Sequence, residues 1–184
     1  AQIETVAGII AQHDGVLMVH SEDNDVITRA SEPYADRSES HPRLHGLSRP
    51  AEAELVAISH LGEISSRTNC SIYIVHLNTA AGLAKAAEYP MLRVETCPHY
   101  LLLSDKMYER EDGQMFVSSP PLRTESDSKA LWQGIQHGQV HTIGSDHCPF
   151  CLADKPQNTP FQDIPNGMGG VETLFPTLLA QFIE

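Results

Sequence analysis

The stretch SIYIVH, at residues 71–76, is a short run of mainly apolar residues that ends at a histidine. Short runs rich in Val and Ile are typical of buried strands in a parallel sheet. Three similar runs lie at residues 16–19 (VLMV), 91–94 (MLRV) and 141–143 (HTI). We therefore expect four strands of one parallel sheet.

Helical patterns lie between and around these runs, at residues 3–12, 50–69, 79–87, 126–137 and 171–183. The pattern at 50–69 is the clearest. Ser48 can cap its N-terminus, Pro50 suits its first turn, and Glu52 and Glu54 favour the positive end of the helix dipole. Helices that alternate with strands predict an α/β fold with right-handed crossovers.

Three of the predicted strands are followed by a residue that can bind a metal: His20, His76 and Asp146. In a (β/α)8 barrel, the C-terminal strand ends form the active-site mouth. Neutral imidazoles bind zinc and related metals, and a carboxylate can both bind a metal and accept a proton. Each histidine taken alone could equally hydrogen-bond a neighbouring carbonyl, so a metal site and a purely structural role both stay open.

The length of the chain limits how much of a barrel it can form. A complete (β/α)8 barrel needs about 250 residues, whereas this chain has 184. A separate four-stranded parallel sheet would leave two unpaired edges, which proteins normally avoid. We therefore expect part of a larger barrel, with residues 21–47 and 148–170 as long structureless substrate loops.

Composition excludes several classes of partner. The chain has 24 acidic and 12 basic side chains, which gives a formal net charge of −12. This balance argues against binding to DNA or RNA. No apolar run approaches the roughly 20 residues that span a bilayer, so we expect no membrane partner. Four cysteines are too few for a disulfide scaffold, which favours a cytoplasmic protein.

Three loop motifs each allow more than one interpretation. CPFC, at residues 148–151, could be a redox pair or half of a zinc knuckle, but buried inert thiols are favoured. SSPPLR, at 118–123, is either a rigid loop that presents Ser119 to a ligand or a simple turn. PNGMGG, at 165–170, contains Asn166, which could bind an amide or merely form an Asn-Gly turn.

Six motifs in a fixed order point to a known family. They are VHSED (19–23), VHLN (75–78), ETCPHYL (95–101), SPPLR (119–123), GSDHCPF (144–150) and NGMGGVE (166–172). Together they resemble the hydantoinase and dihydropyrimidinase family of the amidohydrolase superfamily, and SPPLR and GSDHCPF look more like hydantoinases than dihydroorotases. The resemblance implies a partial TIM-type barrel and hydrolysis of the cyclic amide bond of hydantoins or dihydropyrimidines by a metal-bridging hydroxide.

The resemblance also implies a role for each site residue. Two divalent metal ions, commonly zinc, would occupy the complete barrel. His20 and His76 would bind the more exposed metal, while Asp146 would bind the more buried metal and act as general acid and base. Ser119 and Asn166 would hold the amide groups of the substrate ring.

The family's remaining metal ligands are an HxH pair and a carbamylated lysine. The sequence contains no HxH tripeptide, and its four lysines fall in predicted helices or loops. We therefore expect residues 1–184 to be the C-terminal part of the barrel, about strands five to eight. The N-terminal half and the family's small β-sandwich would be absent, and this chain alone would be nearly inactive.

Three alternatives remain at this point. The full-length protein could be a non-catalytic dihydropyrimidinase-like scaffold, or another cyclic amidohydrolase such as an allantoinase. The chain could also be an independent α/β binding domain with one zinc held by Cys97, His99, Cys148 and Cys151. The family's members are usually homotetramers, so a homo-oligomer that acts on a small cyclic amide is expected of the full-length protein.

Overall fold

A computed structural model describes residues 2–35 and 39–183. Within these residues, four parallel strands form one sheet in the order β1-β2-β3-β4, with Leu17 beside Ile72 and Thr96 beside Ile143. The strands are β1 (Val16–Val19), β2 (Ser71–Ile74), β3 (Leu92–Thr96) and β4 (Thr142–Ile143). The predicted parallel sheet is confirmed. β3 extends beyond its predicted end because Glu95 and Thr96 pair with β4.

The described part of the chain also contains eight α-helices. They are α1 (Gln2–Ala11), α2 (Asn24–Ser31), α3 (Arg43–Ser48), α4 (Ala51–Thr68), α5 (Ala80–Ala86), α6 (Pro98–Leu102), α7 (Glu125–Gln136) and α8 (Leu174–Ile183). Short 3-10 helices lie at Glu32–Tyr34, Asp105–Glu109, Gly113–Phe116 and Phe161–Asp163. None of the helices in the described ranges is both long enough and apolar enough to span a membrane.

The helix cap predicted for Ser48 is wrong. Pro50 occupies the cap position of α4 and makes no side-chain cap. Ser48 instead forms the last residue of α3, and its hydroxyl donates to the backbone oxygen of His45 at 3.0 Å. Ser48 therefore ends one helix, α3, and a two-residue connection separates it from the start of the next helix, α4.

The segment at residues 21–47 is not the structureless loop that we expected. It contains α2, a 3-10 helix and most of α3, while residues 36–38 lie outside the described residues. Asp23 caps α2 by accepting hydrogen bonds from the backbone N–H groups of Asp25 and Val26. The segment at 148–170 is irregular except for one 3-10 helix and an isolated bridge between Met168 and His147.

The two faces of the sheet differ in burial. Ile72 and Ile74 on β2 are fully buried, and they join the apolar core together with Ile58 of α4. On the other face, Val16 and Met18 of β1 are 55% and 65% exposed. This alternation follows from the strand geometry, which directs successive side chains to opposite faces.

Trp132 of α7 fixes two neighbouring helices. Its indole N–H donates to the backbone oxygen of Leu101 in α6 at 3.0 Å. Its ring also makes an edge-on contact with Phe182 of α8, with 5.9 Å between the ring centroids. The last helix is thereby packed against the helices that precede it.

Candidate metal and substrate site

The three predicted metal ligands lie where strands end. His20 directly follows β1, His76 comes two residues after β2, and Asp146 comes three residues after β4. His76 and Asp146 both have a φ of 42°, in the left-handed region that residues other than glycine rarely adopt. Such backbone conformations are costly and concentrate at functional sites.

His20 and His76 meet at the end of the sheet. Nδ1 of His20 lies 3.0 Å from Nε2 of His76, and the ring centroids are 4.7 Å apart. Nε2 of His20 lies 3.0 Å from Oε2 of Glu22. A carboxylate oxygen can only accept, so Nε2 of His20 carries the hydrogen. In the neutral ring, the lone pair is then on Nδ1, which faces His76.

Glu22 connects the histidine pair to an arginine. Its carboxylate is 1% exposed and accepts a 2.6 Å hydrogen bond from Nη1 of Arg49. Burial would raise the pKa of Glu22, but the hydrogen bond from His20 and the charge of Arg49 outweigh this and lower it. Glu22 is therefore an anion that orients His20.

His76 is buried and electrically neutral. Burial lowers its pKa and His20 lowers it further, whereas Asp146 acts in the opposite direction. Among the residues that the structure describes, Nδ1 of His76 and Nε2 of His99 are buried without a hydrogen-bond partner. Burial also lowers the pKa of His99 to about 4. Two neutral imidazoles near Asp146 thus each keep one unpaired ring nitrogen.

A compact cluster of three metal ligands does not form. Across residues 2–35 and 39–183, no group of three or more His, Cys, Asp and Glu side chains is placed to hold a metal ion. The structure therefore brings His20 and His76 together, but it does not add Asp146 to the same cluster. Asp146 is exposed at the end of β4.

A buried carboxylate supports the turn that follows His76. Oε1 of Glu54, on α4, accepts the backbone N–H of Asn78 at 2.9 Å, and Oε2 accepts that of Thr79 at 3.0 Å. The Thr79 hydroxyl also bonds to Oε2. Burial is the largest influence on Glu54 and raises its pKa to about 7 despite these hydrogen bonds.

Ser119 contacts His45, and Asn166 lines the same cavity as His45. Oγ of Ser119 lies 3.3 Å from Nε2 of His45, on α3. His45 also lines a cavity of about 530 Å³ together with Asn166, Arg49 and Phe161. Because Arg49 bonds to Glu22, the wall of this cavity is connected by direct contacts to the histidine pair.

Lys155 ties together the two loops that carry Ser119 and Asn166. It is 1% exposed, and its Nζ donates to the backbone oxygens of Val117 at 2.9 Å and Gly167 at 2.8 Å. Burial lowers its pKa to about 8. No sequence pattern marks this lysine, because its partners lie 38 and 12 residues away.

The favoured interpretation of the CPFC motif is wrong. Cys148 and Cys151 are exposed free thiols, whereas Cys70 and Cys97 are the buried ones. The motif lies in the irregular segment after β4, where it has little chain packed over it. The zinc-knuckle alternative has no support either, because the described residues contain no cluster of His, Cys, Asp and Glu able to hold a metal.

Comparison with known proteins identifies first the fold and then the family. No protein-family model matches the chain. Solved structures superimpose over nearly all of it: dihydropyrimidinase from Brevibacillus agri NCHU1002 has a TM-score of 0.91 and 29% identity, and covers 96% of this chain and 40% of its own. Dihydroorotase from Campylobacter jejuni, at 16% identity and a TM-score of 0.70, shares the fold, over 97% of this chain and 44% of its own. The chain is thus part of a TIM-type amidohydrolase barrel, as predicted.

The sequence comparison points to one group of proteins within this fold class. D-phenylhydantoinase from Escherichia coli O81 (strain ED1a) is 39% identical over 162 residues, which cover 84% of this chain and 35% of that protein. A solved D-hydantoinase has a TM-score of 0.92 at 28% identity, and covers 98% of this chain and 41% of its own. The chain is therefore related by sequence and fold to the hydantoinases and dihydropyrimidinases, and the resemblance drawn from its motifs is confirmed. It spans about a third of the length of these curated relatives.

Proposed function

We propose that the full-length protein hydrolyses the cyclic amide bond of hydantoins or dihydropyrimidines with the help of divalent metal ions. The observation that carries this proposal is the approach of His20 and His76, whose facing ring nitrogens lie 3.0 Å apart at the ends of adjacent parallel strands. Relatives named D-phenylhydantoinase and dihydropyrimidinase support the choice of substrate.

The residues present suit a metal. With Nε2 of His20 committed to Glu22, its Nδ1 lone pair points at Nε2 of His76. The 3.0 Å contact is that of a single hydrogen shared between the two ring nitrogens. Neutral imidazoles are good zinc ligands, and a divalent ion in place of this hydrogen would be held by both rings. We assign His20 and His76 to one metal and Asp146 to a second, with zinc as the expected ion. The relatives' greater length leaves room for further ligands outside this sequence.

A bound divalent metal would lower the pKa of a coordinated water and polarise the carbonyl that is attacked. Asp146 would accept a proton from the attacking water on its carboxylate and deliver it to the departing amide nitrogen. Ser119 and Asn166 would hold the polar groups of the ring. The carboxylate of Glu22 would keep His20 in the required tautomer.

The remaining expectations are proposals of the same kind. We propose that the full-length protein is a cytoplasmic homotetramer with no nucleic-acid or membrane partner, and that the 184-residue chain alone is nearly inactive. The acidic net charge of −12 suits a neutral cyclic amide better than a phosphate-rich partner.

The decisive experiment measures metal content and hydrolysis in the purified full-length protein. Hydantoin, dihydrouracil and allantoin would be offered in parallel, before and after removal of metal with a chelator. We expect hydrolysis of hydantoin or dihydrouracil that is lost on chelation and restored by zinc. Preference for allantoin would favour the allantoinase alternative, and a metal-free protein inactive on all three would favour the scaffold alternative.

A further inference from the structure

Ser119 has a buried histidine beside it that none of the motifs included. Nε2 of His45 lies 2.9 Å from the backbone oxygen of Ser118 and 3.3 Å from Oγ of Ser119. His45 is 5% exposed, whereas Ser119 is only half-buried. The imidazole therefore joins α3 to the backbone and the side chain of the SSPPLR loop at the same point.

The hydrogen positions follow from these contacts. A carbonyl oxygen can only accept, so Nε2 of His45 must carry a hydrogen, which it shares between Ser118 and Ser119. A protonated ring nitrogen has no lone pair left, so the Ser119 hydroxyl cannot donate to it. Within residues 2–35 and 39–183, Oγ of Ser119 has no other hydrogen-bond partner in the structure. Its hydrogen is therefore free to point elsewhere.

The surroundings of His45 hold this arrangement at neutral pH. Burial is the largest influence on the pKa of His45 and lowers it to about 4. The hydrogen bond to Ser118 and the charge of Glu22 act to raise this pKa, whereas the charge of Arg49 lowers it further. The ring thus stays neutral, with its single hydrogen on Nε2. Asn166 lines the same cavity as His45, the residue that contacts Ser119.

We propose that His45 is a positioning residue: by donating to Oγ of Ser119 it turns the hydroxyl hydrogen away from itself, and Ser119 donates this hydrogen to a carbonyl oxygen of the substrate ring. This inference rests on the proposed function. It adds to that function a direction for one hydrogen bond and the residue that enforces it. Because His45 contacts Ser119 and not the reacting atoms, it acts only through that hydroxyl.

Neutron diffraction from deuterium-exchanged crystals of the full-length protein tests the hydrogen positions without any measurement of activity. We expect deuterium on Nε2 of His45, none on its Nδ1, and a Ser119 hydroxyl that points away from the ring. Deuterium on Nδ1 alone, or a Ser119 hydroxyl that donates to His45, would overturn the proposal.

Kinetics of a double-mutant cycle test the consequence for substrate binding. Ser119→Ala should raise KM about fivefold, which is what the loss of one neutral hydrogen bond costs. His45→Leu should raise KM by a similar factor, since Oγ is then free to turn its hydrogen toward the Ser118 oxygen. The double variant should be no worse than Ser119→Ala, and His45→Gln, which keeps an N–H donor, should restore part of the affinity. His41→Leu, at a 52% exposed side chain on the same segment, is the control.

The outcomes separate the two proposals. Additive effects on KM, or an effect on kcat alone, would contradict the role of His45 while leaving the hydrolase intact. A wild-type protein that hydrolyses no cyclic amide would contradict the proposed function, and the neutron result would then decide the direction of the hydroxyl by itself. Thermal unfolding would show whether His45→Leu folds. If it does not, His45→Gln replaces it in the cycle, and additive effects of His45→Gln and Ser119→Ala on KM would overturn the proposal.

Discussion

Nδ1 of His20 lies 3.0 Å from Nε2 of His76, although 56 residues separate the two in the sequence. The contact exists because β1 and β2 are adjacent and parallel, so that both strands end at the same edge of the sheet. Glu22 holds the outer nitrogen of His20 and Arg49 holds Glu22. Any change along this series of contacts should reach the histidine pair.

Glu22→Gln tests that dependence. The amide would be a poorer acceptor for the N–H of His20 and would lose the charge that pairs with Arg49. We expect the affinity for zinc in the full-length protein to fall about 10- to 100-fold, as is usual when a carboxylate behind a metal-binding histidine is replaced. Metal competition with a chromophoric chelator would measure this. Glu52→Gln, at an exposed position on α4, is the matched control, and equal zinc affinities in the two variants would refute the role of Glu22.

Asp146→Asn tests the proposed proton transfer. Asparagine tolerates the left-handed backbone at φ 42°, so the change removes the carboxylate with little strain. We expect kcat to fall by at least about 100-fold, the lower bound for loss of a general acid and base. Steady-state hydrolysis of dihydrouracil would measure it, with Asp163→Asn as an exposed control. Turnover within tenfold of wild type would remove Asp146 from the mechanism.

Lys155→Met tests the connection between the two substrate loops. The variant keeps the length of the side chain but leaves the buried oxygens of Val117 and Gly167 without the ammonium donor. We expect the free energy of unfolding to fall by about 1–3 kcal/mol. Urea denaturation would measure the loss, and Lys129→Met, at an exposed position, should lose almost nothing.

The pKa of Lys155 also predicts how the stability of the protein changes with pH in the alkaline range. Its pKa is about 8 when folded, below its ordinary value of 10.5, so between these values the unfolded chain holds a proton that the folded chain has released. Stability therefore rises with pH across this window. From pH 8 to 10.5, the free energy of unfolding should rise more in the wild type than in Lys155→Met. Equal changes in the two proteins would contradict the assignment.

Glu54 predicts the opposite slope at acidic pH. Burial raises its pKa from 4.5 to about 7, so the folded protein keeps a proton that the unfolded chain releases between these values. Its contribution to stability is fully present below pH 4.5 and is lost as the pH rises through 7. The difference in unfolding free energy between wild type and Glu54→Gln should therefore fall by about 2–3 kcal/mol across this window. Urea titrations at pH 5 and 7.5 would measure it, and a constant difference would show that Glu54 is already ionised when buried.

Local patterns were enough to predict the sheet. β1 matches its predicted residues, and the other three strands differ only at their ends. The α2 helix was missed although Asp23 supplies a cap signal, because its polar residues show no apolar face in the sequence. The loss of the Ser48 cap has a similar cause: α3 is too short to leave a periodic pattern.

The site was predictable only in part, since its supporting contacts join distant segments. Strand ends identified His20 and His76, but nothing in the sequence marks the left-handed backbone of His76. Arg49 follows Glu22 by 27 residues, and His45 precedes Ser119 by 74, so neither pair forms a recognisable motif. Such contacts depend on how α3 packs against α2 and against the 3-10 helices at Asp105–Glu109 and Phe161–Asp163, which local propensity does not encode.

Trp132 gives the protein a built-in optical probe. It is the single tryptophan of the chain, and its indole is held between a carbonyl of α6 and the Phe182 ring of α8. Its fluorescence therefore reports the docking of the last helix rather than an average over many chromophores. A melting curve followed at this emission, set beside one followed by circular dichroism, would reveal whether α8 detaches before the sheet comes apart.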